Sequence, residues 1–146
     1  MTTEASGIDC AIVIDGSPVP GGRSITIAQS IPDASVVIVT TPQEVALADV
    51  KKAVNMFKKL DTTILGVVEN MSYFKCAHSD KKIEIFGSGG GESLRLQMGI
   101  PLLGAIPLDI AIRLGGDKGI PFMVDFSDSE AGKVFTEIAR KVAASL

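Results

Sequence analysis

The sequence predicts an α/β protein, a mostly parallel sheet flanked by helices, and three observations carry that expectation. Four short runs rich in β-branched and aliphatic residues stand at 10–14, 36–40, 63–68 and 102–106. Each is nearly continuous in apolar character, without strict alternation, as expected of strands buried on both faces. Helical patterns fall between them, and a composition that is 46% hydrophobic, 5% aromatic and without Trp suits an aliphatic core.

Each helix has its own signals. Over 42–60, Ala46, Val50, Ala53, Val54 and Phe57 fall on one helical face. Thr41 is placed to accept from a first-turn amide, Pro42 suits the first helical position, and Glu44 completes a capping box. A second box, Ser127-x-x-Glu130, opens a last helix whose apolar stripe is Ala131, Val134, Phe135, Ile138, Ala139 and Val142. A further helix is expected near Glu92. Between it and the third strand lies an irregular stretch, 71–91, in which a small β-hairpin is expected.

With 146 residues, no internal repeat and no low-complexity linker, the chain is expected to form one domain, 1–146. A formal net charge of −3 and a pI near 5.1 provide no broad cationic field, which argues against nucleic acid as a partner. No apolar run approaches the roughly 18 residues of a membrane span, and the amino terminus carries neither a basic nor an apolar signal region. Two cysteines, Cys10 and Cys76, are too few for a disulfide framework and point to a reducing, cytoplasmic setting.

Several candidate sites lie where parallel sheets bind ligands, beyond the carboxyl ends of strands. Asp15 ends the first strand before a loop of small residues and prolines, where a carboxylate can hold a Mg²⁺-bound water; an Asp closing a strand at a turn is the plain alternative. Asn70 follows the third strand, and Pro107, Leu108 and Asp109 follow the fourth, placed either to dock a base or to form turns. The run 87–91, Gly-Ser-Gly-Gly-Gly, precedes a helix and so invites comparison with a phosphate cradle. It contains no Gly-Lys-Ser/Thr, and a turn feeding the helix explains it better. Cys76 and His78 are two potential metal ligands in a polar loop. Two ligands do not close a zinc or cluster site, whereas a two-fold dimer would double them.

From about residue 9 onward the chain resembles the Mrp/ApbC family, the iron-sulfur cluster carriers among the MinD-like P-loop ATP-binding proteins. The blocks that carry the likeness are Ala28-Gln-Ser-Ile-Pro32, Val37-Ile-Val-Thr-Thr-Pro-Gln-Glu-Val-Ala46, Gly66-Val-Val-Glu-Asn-Met-Ser-Tyr-Phe74, Phe86-Gly-Ser-Gly-Gly-Gly91 and Pro101-Leu-Leu-Gly-Ala-Ile-Pro-Leu-Asp109, in family order. The resemblance implies a P-loop NTPase-like fold without its first strand and Walker A loop, since no part of this chain supplies the Gly-rich, Lys-containing segment that grips phosphates. It implies an adenine site around Asn70 and Pro107 to Asp109, with Asp15 as a switch acid in a loop that departs from the family pattern. It implies a bridging cluster held by a Cys-x-x-Cys pair, of which Cys76 remains and Ser79 replaces the second. The cofactors so implied are ATP with Mg²⁺ and an iron-sulfur cluster. The implied partners are a second copy or an Mrp-like protein, and iron-sulfur acceptor proteins.

Two further expectations follow from the resemblance. The family's first strand lies between those matching 10–14 and 36–40, so these two should close together or another segment or chain should fill the gap. The function expected is cluster carriage without ATP hydrolysis by this chain alone. The alternative is a non-catalytic interaction or dimerisation module, and a phosphate site at 87–91 ranks third. A longer precursor would allow a mitochondrial matrix location.

Overall fold

A computed structural model describes residues 11–15, 34–76 and 81–146, the first of these segments in backbone only. Strands β1 (Ala11–Asp15), β2 (Ser35–Thr40), β3 (Ile64–Glu69) and β6 (Leu102–Ala105) form a four-stranded sheet in the order β1-β2-β3-β6. Every pairing in it is parallel. β1 and β2 pair directly, from Ala11 opposite Ser35 to Asp15 opposite Val39, so the two expected neighbours close on each other.

Helices cover both faces, which is why the strands read as unbroken apolar runs. On one face Val36, Ile38 and Val67 pack with Leu47, Val50, Val54 and Phe57 of α1 (Glu44–Lys59) and with Leu94 of α2 (Gly90–Met98). On the other, Val37, Leu65, Val68 and Leu103 meet Val134, Phe135, Ile138 and Val142 of α5 (Glu130–Ala143). Successive residues of β2 thus alternate between two cores, as the pleat requires. Gly104 in β6 lets α5 approach, since a Cβ there would stand 2.6 Å from Ile138 Cγ1.

Several local expectations are corrected. α1 begins at Glu44 with Gln43 as its cap residue and no side-chain cap bond; the Thr41 hydroxyl turns to Gln43 Oε1 at 3.2 Å, so the capping box around Thr41 does not form. α5 is capped by Ser129, whose Oγ accepts from the Gly132 amide at 3.0 Å, and Ser127 instead ends α4 (Phe122–Phe126). Ala139 is exposed, one position off the α5 stripe. α3 (Ile110–Lys118) was not foreseen: its two internal glycines weaken the helical pattern, and it buries no residue fully. The hairpin expected within 71–91 is present as β4 (Phe74–Lys75) antiparallel to β5 (Lys82–Ile83). Among the described residues, no helix is long and apolar enough to cross a membrane.

Candidate functional site

The parallel sheet delivers the carboxyl ends of its strands to one edge, and the exits of β3 and β6 are zipped together there. Ile106 N donates to Glu69 O at 2.8 Å, Ser72 N to Ile106 O at 3.0 Å and Leu108 N to Tyr73 O at 2.7 Å. A parallel bridge between Phe74 and Leu108 continues the ladder into the hairpin. The chain from Asn70 to Cys76 therefore runs alongside 106–108, and two groups of candidate residues share one frame.

Asn70 is tied by its backbone N–H to Thr40 O at 2.7 Å, while its Oδ1 accepts from the Met71 amide at 2.9 Å. That donor engages the oxygen of the side-chain amide, so the amide's remaining capacity is as a donor through its NH₂. Met71 takes a φ of 55°, a left-handed conformation uncommon for a side chain of its size, and the hydrogen bonds on either side hold it there.

Pro107, Leu108 and Asp109 line an open pocket of about 240 Å³ with Phe74, Lys75, Ile110, Glu130 and Ala131. This falls below the roughly 300–1,000 Å³ of complete ligand pockets, and suits one ring system rather than a whole nucleotide. Asn70 stands at the neighbouring strand exit and is not part of that lining. Asp109 caps α3, its Oδ1 accepting from Ala111 N at 2.8 Å, so its carboxylate serves the helix. Asp15 ends β1 three strand positions from β6, about 14 Å across the sheet at the usual strand spacing. Its side chain and His78 lie outside the described residues.

Two acids that sequence reasoning passed over organise this edge. Glu69, only 4% exposed, accepts from Ser72 Oγ at 2.5 Å and from the Gly91 amide at 2.6 Å. Its carboxylate therefore occupies the amino terminus of α2. The run 87–91 is accordingly a turn whose helix start already holds a carboxylate at the Gly91 amide, with left-handed Gly89 (φ 72°) as the residue before the first turn. A phosphate there would meet a carboxylate, which weighs against a phosphate cradle at 87–91 and favours the turn. The signal for Glu69 was an acid closing an apolar strand, a pattern that looks like a solvent-facing end until α2 is placed.

Glu130, at the start of α5, accepts from Tyr73 Oη at 3.0 Å and Lys75 Nζ at 2.9 Å, and Lys82 Nζ lies 4.0 Å away. These partners hold its carboxyl below the usual carboxylate range, the Lys75 hydrogen bond first and the Tyr73 hydrogen bond next. Tyr73 moves the other way: burial, then the hydrogen bond to Glu130, raise its phenol from 10.0 to about 12. No local pattern announces this cluster, because Tyr73 and Glu130 are 57 residues apart. Cys76 follows Lys75 directly and is half-buried. Among the described residues no three His, Cys, Asp or Glu side chains gather to hold a metal ion.

The family model described as NUBPL iron-transfer P-loop NTPase, of the ParA group, matches residues 3–143. The chain belongs to the Mrp/ApbC family. The iron-sulfur cluster carrier protein of Pyrococcus abyssi is 48% identical over 135 residues, covering 92% of this chain and 45% of that protein. Among solved structures, the cell division ATPase MinD of Pyrococcus furiosus aligns at a TM-score of 0.59 and 31% identity, over 77% of this chain and 43% of MinD. A nucleotide-binding protein from Archaeoglobus fulgidus in complex with ADP aligns at 0.60 and 34%, over 68% of this chain and 41% of that one. The fold is thus that of the MinD-like P-loop NTPases. This Mrp/ApbC chain spans less than half the length of the relatives it matches, 38% in one cyanobacterial case.

Proposed function

We propose that the chain acts in iron-sulfur cluster carriage, presenting Cys76 as a cluster ligand and the Asn70 and Pro107–Asp109 edge as a docking place for the base of a nucleotide. The observation that carries this reading is the ladder joining 69–74 to 106–108, which links the segment leading to Cys76 with the strand exit that lines the pocket. Carriers of this family supply the precedent for the cargo.

The residues fit part of a nucleotide. Phe74, Pro107, Leu108 and Ile110 offer apolar walls to a flat ring, and Asn70, at the neighbouring strand exit, carries an NH₂ able to donate to a ring nitrogen. Nucleotide would bring Mg²⁺ and transferable phosphates, but nothing on the described edge is built to hold them: the α2 amino terminus is taken by Glu69 and the 146 residues contain no Gly-Lys-Ser/Thr. We therefore expect base-level binding without hydrolysis by this chain alone. Asp15 is the acid to test if a longer context supplies the phosphate site.

For the cargo, each chain offers Cys76, which loses its thiol proton on binding iron, and two chains offer two thiolates. Ser79 and His78 are the nearby positions from which further ligands would come. A reducing compartment and a two-fold assembly follow from this reading. The test is anaerobic reconstitution with iron and sulfide. Visible cluster absorbance at one cluster per two chains, lost in Cys76→Ala, is expected. Absence of uptake overturns carriage, and self-association that persists without it would favour the second reading, an interaction module, which Ser79 in place of a second cysteine also favours.

A further inference from the structure

The hairpin that carries Cys76 is short, with two residues in each strand, and β4 and β5 bury little of their own. A ribbon of that size is marginal by itself and must be held by something else. Two attachments stand out among the described residues. One is the backbone bridge from Phe74 to Leu108. The other is Glu130, whose two oxygens are divided between the side chains of this ribbon.

Oε1 takes the Tyr73 hydroxyl at 3.0 Å and lies 4.0 Å from Lys82 Nζ, while Oε2 takes Lys75 Nζ at 2.9 Å. Lys82 also stands over the Tyr73 ring, 4.1 Å from its centroid, so the side chains of both strands close around one carboxylate. Glu130 itself does not move freely, because it is the first residue of α5 and the Ser129 cap fixes that turn. It also lines the Pro107–Asp109 pocket. An isolated surface pair would contribute little, but one carboxylate serving three hydrogen-bonded or charged groups from both strands defines a position.

We propose that Glu130 is the positioning residue for the Cys76 thiol, clamping the β4–β5 hairpin onto α5 and so setting where the thiol stands. The inference rests on the reading of Cys76 as a cluster ligand for its purpose, though not for its geometry. Release of the clamp frees the hairpin to move off α5 and lets the half-buried thiol reach solvent, which raises its reactivity.

The test uses the full chain with Cys10→Ser, so that Cys76 is the one remaining thiol, and measures its alkylation rate by iodoacetamide at neutral pH. Glu130→Ala is expected to raise the rate by about threefold or more, whereas Glu137→Ala, the same loss of charge elsewhere on α5, leaves it within about twofold of the parent. A rate unchanged in Glu130→Ala, or raised equally in Glu137→Ala, overturns the proposal. Should circular dichroism show Glu130→Ala unfolded, Glu130→Gln at this 43% exposed side chain decides by the same criteria. Reconstitution of the parent and Glu130→Ala runs in parallel. If the parent takes up no cluster the carriage reading fails, while the alkylation rates still decide the clamp.

Discussion

Tyr73 is the only tyrosine in the chain, so its phenol can be followed without ambiguity. Its ionisation is disfavoured by burial and by the Glu130 carboxylate, and ultraviolet titration should give a midpoint at about 12, moving toward 10.0 in Glu130→Gln. A folded value above the unfolded one means that the stability it contributes is complete below 10 and is lost as pH rises through about 12. Glu130 has the opposite sign: its depressed carboxyl contributes stability above the ordinary carboxylate range and loses it as pH falls through its lowered value. The stability gap between parent and Glu130→Gln in urea should therefore be open at neutral pH and close in acid; a gap unchanged by pH would contradict the assignment. Gly91 is sensitive for a different reason, close packing. A Cβ there would stand 2.7 Å from Leu102 Cδ1 and 3.2 Å from Glu69 Cβ, so Gly91→Ala should cost about 1–3 kcal/mol in urea denaturation.

Among the elements, α5 shows best how a local pattern names a helix without placing its start. Two serines, Ser127 and Ser129, precede it, and the box motif favours Ser127 because Glu130 stands three residues later. The helix starts instead at Ser129, since Ser127 closes α4 and Glu130 turns toward the hairpin. Ser129→Ala should destabilise the protein by about 1 kcal/mol and Ser127→Ala by much less, measured by chemical denaturation of both variants. Equal effects would restore the box. The four strands and α1 were legible because burial on two faces leaves an apolar run and burial on one face leaves a helical stripe. α3 was not, because Gly115 and Gly116 interrupt it and its Ile110 and Leu114 remain exposed.

Across the whole molecule, the sheet separates two cores, and Phe57 is a large side chain fully buried in one of them. Phe57→Ala should remove about 3–5 kcal/mol, enough to threaten the fold of a domain of this size, whereas Phe126→Ala, at an exposed position, should be mild. Thermal melts of the two variants check that contrast. The candidate site divides in the same manner. Cys76, Asn70 and Pro107–Asp109 were named from motif blocks and from their place after strands, and the fold sets them along one sheet edge. Glu69 and Glu130 were not named, because each acts on residues far away in sequence. The sequence by itself determined the strands, the two-sided core, the family and the side of the sheet on which ligands would lie, since these depend on local periodicity and strand direction. Only the tertiary structure decided that Glu69 fills the α2 amino terminus and that Glu130 grips the Cys76 hairpin. Charge pairing between distant segments has no period and no fixed spacing, so it exists only once packing has brought the partners together.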